Sequence, residues 1–169
     1  MSVRLGHLED AERLAALAIQ VWLHTYASEG ISSTIATYVL SEFTKEKFVS
    51  RLAEKSSAVF VAEIDKNLVG YSVCDANTSC PVTVDAKVEL STLYVQEHFG
   101  SRGVGSSLLQ QAELWAKQRA DSSIWLTVNS ENSRAMAFYA KHGYTSVGIT
   151  YFRLGQEDHQ NHVLVGPDA

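Results

Sequence analysis

Apolar positions along this chain alternate between helical and strand spacing, and the changes of period divide it into elements. Val3 to Leu8 reads as a short strand, and Asp10 stands where the N-cap of a helix belongs. Leu14, Leu17, Ala18, Val21 and Trp22 then recur at helical spacing. A second helical stretch spans Ile31 to Leu40, and after a break the pattern resumes from Lys45 to Leu52. Val59 to Ile64 and Leu68 to Cys74 are β-rich runs joined by Asp65-Lys66-Asn67, the signature of a hairpin. Val82 to Val95 reads as a longer strand, with Val88, Leu90, Leu93 and Val95 among its apolar members. Leu108, Leu109, Ala112, Trp115 and Ala116 form the stripe of a further helix. Ser123 to Val128 is a strand, and Asn132 to Lys141 is a helix that Gly143 is placed to close in a left-handed conformation. Tyr144 to Leu154 and His162 to Val165 complete the pattern as strands. Strands interspersed with helices predict an α/β or α+β fold, a mixed sheet with helices on both faces.

The 169 residues contain no repeat, no low-complexity tract and no linker, which predicts a single domain over 1–169. With 46% hydrophobic and 20% charged residues the composition is that of a globular chain rather than a disordered one. The longest unbroken apolar run, Leu14 to Ile19, falls far short of the roughly 20 residues of a membrane span. Met1 to Asp10 carries Arg4 with no apolar run after it, so a secretory signal is not expected and the cytoplasm is the expected compartment. A net charge of −5 argues against a nucleic-acid or acidic-membrane partner. Two cysteines, Cys74 and Cys80, are too few for a disulfide framework or a structural zinc site. His159 and His162 lack the carboxylate or cysteine neighbours that a metal requires, so no metal is expected.

The distinctive segment is Gly100-Ser101-Arg102-Gly103-Val104-Gly105, lying between a strand and a helix. The first N–H groups of a helix have no intrahelical partner and its dipole favours an anion, while glycine lets a phosphate approach the backbone. Gly100 and Gly105 have the spacing of a nucleotide-triphosphatase loop, but Ser106 occupies the position where the phosphate-binding lysine belongs. A dinucleotide fingerprint fails because Leu108 replaces its third small residue and Trp125 and Leu126 stand where the ribose-binding acidic residue is expected. A tight connection with no ligand is the plain alternative, although such a turn seldom needs three glycines within six residues.

The loop resembles the pyrophosphate loop of the GNAT superfamily of acyl-CoA N-acetyltransferases, whose pattern is Gln/Arg-x-x-Gly-x-Gly/Ala. The strand before it, Glu89 to Val95, resembles the family's fourth strand. Downstream, Leu126-Thr127-Val128-Asn129, Asn132, Ala135, Phe138-Tyr139 and Gly143-Tyr144 resemble its second motif, in the right order and at the right separation. Gly100 departs from the pattern, which has Gln or Arg there; since the family loop binds mainly through backbone N–H groups, the loss of this side chain is not expected to matter.

The resemblance implies a mixed, mostly antiparallel sheet of about seven strands, with the fourth and fifth splayed to admit acetyl-CoA. It implies that Leu93, Tyr94 and Val95 line the pantetheine arm, with Leu93 and Val95 offering backbone groups. Gly100, Ser101, Arg102, Gly103, Val104, Gly105 and Ser106 would hold the pyrophosphate, and Asn132 would contact the cofactor or cap its helix. Transfer to an amine needs a base, because an alkylamine titrates near 10.4, and an acid for the departing thiolate. Tyr139 matches the family's thiolate-protonating tyrosine, against the alternative of a core aromatic. Glu89 lies where many members place a carboxylate acting through water, against the alternative of a surface ion pair. The implied function is N-acetyl transfer to a primary amine of a small molecule or peptide by direct attack in a ternary complex. The competing function is a noncatalytic acyl-CoA sensor or interaction domain. Trp22, His24, Tyr26 and Glu29, and Tyr151 with Phe152, fall where the family walls its acceptor site, with core packing an equal alternative for each aromatic, and a homodimer would accord with the family.

Overall fold

Two features of the backbone between residues 57 and 76 set the start of the sheet. Asp65 and Lys66 both take positive φ, +50° and +67°, so the hairpin closes on a two-residue turn of the I′ kind without glycine. Asn67 steadies it, its Nδ2 donating to the Asp65 carbonyl at 3.1 Å. The computed structural model describes residues 1–83 and 85–167. In chain order the elements are β1 (Ser2–Leu5), α1 (Ala11–Tyr26), α2 (Ser33–Glu42), α3 (Lys45–Ala53), β2 (Ser57–Ile64), β3 (Asn67–Ala76) and β4 (Val88–Val95). They continue with α4 (Val104–Ala120), β5 (Ile124–Asn129), α5 (Ser133–Lys141), β6 (Thr145–Leu154) and β7 (Glu157–Val165). The seven strands form one sheet in the order β1-β2-β3-β4-β5-β7-β6. β1–β2, β5–β7 and β6–β7 are antiparallel, whereas β4–β5 is parallel and holds two residue pairs, Val88 with Ile124 and Glu89 with Trp125. This is the mixed, mostly antiparallel sheet that the sequence predicts.

Residue contacts sort the chain into two compact units. The first comprises Met1–Val73 with Thr92–Ala112, and the second Cys74–Ser91 with the chain from Glu113 onward. In the first, α1 and α3 lay Leu14, Leu17, Ala18 and Phe48 against Val59, Val61, Tyr71 and Val73. The breaks between its helices are set by side-chain caps: Ser32 accepts from Ile35 N and Thr44 from Lys47 N, each at 3.2 Å. Asp10 does not cap α1 as the sequence suggests. Its carboxylate turns back to accept from His7 N at 2.8 Å, closing a 3-10 turn over Leu8–Asp10. Only 1% exposed, it is also held by Arg4 through a fork of 2.8 and 3.1 Å and by Arg13. Arg4 bridges onward to Glu63 at 2.7 Å, so β1, α1 and β2 are pinned by one charge network.

In the second unit the expected strand from Val82 begins only at Val88. Pro81 removes a backbone donor, and the segment before β4 folds on itself instead, with Thr78 N donating to the Lys87 carbonyl and Cys80 N to that of Ala86. Val84 lies outside the described residues. The Trp125 indole donates to Thr78 O at 2.7 Å, and Cys80, Ala86, Trp125 and Val163 form a buried cluster. β7 is longer than the expected His162–Val165, beginning at Glu157 and pairing with β6 as far as Leu154.

Candidate active site

The glycine loop lies in the first unit, between the end of β4 and the start of α4. Gln96 N donates to the Val69 carbonyl at 2.9 Å, fixing the strand end to β3. A 3-10 turn over Glu97–Phe99 follows, and Gly100, with φ −57°, leads out of it. The left-handed positions are Ser101 (φ +59°) and Gly103 (φ +79°). Of the three loop glycines only Gly103 needs its missing Cβ for backbone reasons, and a Cβ there would meet nothing within 4 Å. Gly105 and Ser106 lie in the first turn of α4, and buried Val104 has only its backbone to offer. Arg102 is exposed, its guanidinium 5.4 Å over the Phe99 ring. The C-terminal half of α1 braces this approach: Gln20 accepts from Gln96, and His24 Nε2 stands 3.6 Å from Glu97 Oε2. Further along, the Trp22 ring lies 4.9 Å from Tyr26 and 5.0 Å from Tyr38 of α2. Leu93, Tyr94 and Val95 stand half-buried at the end of β4, with the Tyr94 ring edge-on to Tyr71.

Glu89, Asn132 and Tyr139 belong to the second unit. Glu89, half-buried, sits opposite Trp125 in the two-pair ladder. Two residues on, Ser91 Oγ donates to Asp75 Oδ2 at 2.8 Å. No local pattern in the chain singles out Asp75, because only the pairing of β3 with β4 brings it beside Ser91. Asn132 takes the capping role, its Oδ1 accepting from Ala135 N at 3.0 Å, and Gly143 closes α5 with φ +82°. Tyr139 is 7% exposed, its ring 5.1 Å from Phe138 and 5.4 Å from Tyr144. Tyr144 donates its hydroxyl to Glu113 Oε1 at 3.1 Å, and burial together with that carboxylate holds its pKa well above the ordinary phenol range. The Tyr139 ring is therefore held by two aromatic contacts, one from α5 and one from the turn that follows it. Burial, helped by Asp75, pushes the Cys74 thiol up to about 12, so Cys74 is a thiol at neutral pH.

A diphosphate fits the first unit's loop. Open space stands over Gly103, the positive end of the α4 dipole follows it, and Arg102 adds a fork of donors. Among the described residues no group of three His, Cys, Asp or Glu side chains is arranged to hold a metal ion. No described helix is long and apolar enough to cross a membrane.

Comparison with known proteins identifies the family. The acetyltransferase (GNAT) family profile matches residues 17–144. An uncharacterized N-acetyltransferase of Mycobacterium bovis is 29% identical over 158 residues, covering 94% of this chain and 97% of that one. The spermidine N(1)-acetyltransferase of Thermoplasma acidophilum is 26% identical over 148 residues, covering 85% and 88%. Among solved structures, the PaiA N-acetyltransferase of Thermoplasma acidophilum in complex with coenzyme A superposes with a TM-score of 0.72 at 23% identity, covering 96% of this chain and 98% of that one. The chain belongs to the GNAT family of acetyl-CoA-dependent acetyltransferases.

Proposed function

We propose that the protein transfers the acetyl group of acetyl-CoA to a primary amine of a small molecule or peptide, by direct attack within a ternary complex. The observation that carries this reading is the loop entering α4, where left-handed Gly103 leaves open space at the start of the helix. When bound there, acetyl-CoA supplies an activated acetyl thioester. The chain's own residues supply the proton movements. Glu89 takes the proton of the acceptor ammonium, directly or through water, since an amine with pKa near 10.4 is almost wholly protonated at neutral pH. As the new N–C bond forms and the C–S bond breaks, Tyr139 gives its phenolic proton to the departing sulfur and regains one from solvent. A thiol titrating near 8.5 leaves readily as its thiolate, so a phenol of ordinary acidity suffices. The raised Cys74 pKa argues against an acetyl intermediate on that residue.

Initial-rate kinetics test this. Varying acetyl-CoA against an amine acceptor is expected to give intersecting reciprocal plots, with one thiol released per amide formed. Parallel plots, or thiol release without amide, contradict direct transfer. Acetyl-CoA binding with no turnover on any amine favours the sensor reading.

A further inference from the structure

The side chains at the start of β4 alternate between two environments. Val88 and Leu90 are buried, while Glu89 is half-buried and Ser91 exposed, so Glu89 and Ser91 project to one face of the strand. On β3, Asp75 stands half-buried between buried Cys74 and Ala76. Ser91 Oγ donates to Asp75 Oδ2 at 2.8 Å, which brings these two side chains together on that face. Glu89 is less open there, because its ladder partner Trp125 is buried in a cluster with Cys80, Ala86 and Val163. Ser91 is therefore the more accessible polar group of the row. In the chain it lies midway between Glu89, proposed as the base, and Leu93, proposed to hold pantetheine through its backbone.

The bond to Asp75 decides what the Ser91 hydroxyl can offer. A hydroxyl has one proton and two lone pairs. With its proton committed to a carboxylate, Ser91 meets a ligand as an acceptor, and the charge of Asp75 behind it favours an N–H donor. Without Asp75 the hydroxyl would turn freely and could donate to the amine lone pair, the electrons that must attack the thioester. We infer that Ser91, held by Asp75, accepts an N–H of the acceptor nitrogen and selects primary over secondary amines. The inference rests on acetyl transfer to an amine, and not on which group acts as base. Counting protons gives the selectivity. A primary ammonium carries three N–H bonds. One proton leaves before attack to free the lone pair, one leaves after the N–C bond forms, and the third stays on the amide. That third N–H can remain on Ser91 from binding to product. A secondary ammonium has two N–H bonds and loses both, so its bond to Ser91 must be surrendered during the reaction.

The test is steady-state kinetics of the full-length protein with acetyl-CoA and two pairs of probe acceptors. These are n-butylamine with N-methylbutylamine, and glycinamide with sarcosinamide, each pair differing by one methyl on nitrogen. The unaltered protein is expected to favour the primary amine of each pair in kcat/KM. Ser91→Ala is expected to reduce that preference about tenfold, chiefly by slowing the primary amine, with the KM of acetyl-CoA unchanged. Ser91→Thr, which keeps the hydroxyl on a side chain suited to a strand, is expected to restore the preference. Asp75→Ala is expected to reduce it in the same direction, and the double variant to add little to Ser91→Ala. A merely structural loss would slow both members of a pair equally. Equal slowing, or an unchanged ratio in Ser91→Ala or Asp75→Ala, overturns the inference and leaves the transferase reading standing. Acetylation of none of the four amines overturns both.

Discussion

The α-carbon of Gly70 faces the carbonyl of Tyr94: a Cβ at position 70 would stand 2.8 Å from that oxygen, 3.2 Å from Leu108 Cδ1 and 3.3 Å from Val104 Cγ1. One missing methyl on β3 thus sets how closely the end of β4 and the first turn of α4 approach the sheet. Both are proposed to hold the cofactor. A backbone carbonyl cannot step aside as a flexible side chain can, so Gly70→Ala is expected to cost about 1–3 kcal/mol through overpacking. It should also weaken CoA binding several-fold. Thermal melts and CoA titration on the same variant check both effects.

Gly103 offers a contrasting glycine. Space around it is open, so Gly103→Ala meets no clash and incurs only the left-handed backbone penalty, about 1–2 kcal/mol. If the loop cradles a diphosphate, CoA affinity is expected to fall about tenfold with a smaller loss of thermal stability than in Gly70→Ala. Calorimetry with CoA and with dephosphorylated pantetheine distinguishes the cause, since the latter should bind the variant and the parent equally.

Tyr139→Phe keeps the ring that packs against Phe138 and Tyr144 and removes only the hydroxyl. Losing a general acid is expected to lower kcat by about 10²-fold or more, with CoA affinity and thermal midpoint preserved. Stopped turnover with intact binding identifies the hydroxyl as chemical. An unchanged kcat returns Tyr139 to the core.

The charge network of the first unit predicts an acid-sensitive fold. Arg4 chiefly holds the carboxyls of Asp10 and Glu63 below their usual range. A carboxyl depressed in the folded state contributes stability that is fully present above its unfolded pKa, near 3.9 for Asp, and is lost as pH falls toward the folded value. Melting temperature is therefore expected to fall steeply below about pH 4. Asp10→Ala, which leaves Arg4 and Arg13 facing a buried gap, is expected to cost about 3 kcal/mol at pH 7 and to flatten that acid slope. Melts from pH 7 to pH 2 on both proteins provide the check.

What the sequence discloses is mostly local. The caps at Asn132 and Gly143, the Asp65-Lys66 turn and the stripe of α4 each depend on residues within a few positions of one another. The features it hides depend on distant partners. Asp10 has the credentials of an N-cap, but Glu63 and the two arginines redirect it, and Glu63 lies in another strand. The residues from Val82 look like strand, yet Pro81 and the indole of Trp125, far along the chain, make them a folded segment. The loop motif is legible in the sequence because phosphate binding requires glycine beside a helix start. Ser101 shares the left-handed conformation with no residue-type signal. The Ser91–Asp75 pair exists only through the pairing of β3 with β4, which no spacing in the chain reveals.

The central claim is transfer of acetyl to an amine, and one measurement addresses it most directly. The protein is incubated with isotope-labelled acetyl-CoA and a mixture of monoamines, polyamines, amino acids and peptides, and the products are read by mass spectrometry beside a Tyr139→Phe control. The account predicts label on a primary amine, greatly reduced in the control. Label on no amine, or equal labelling in the two samples, contradicts it.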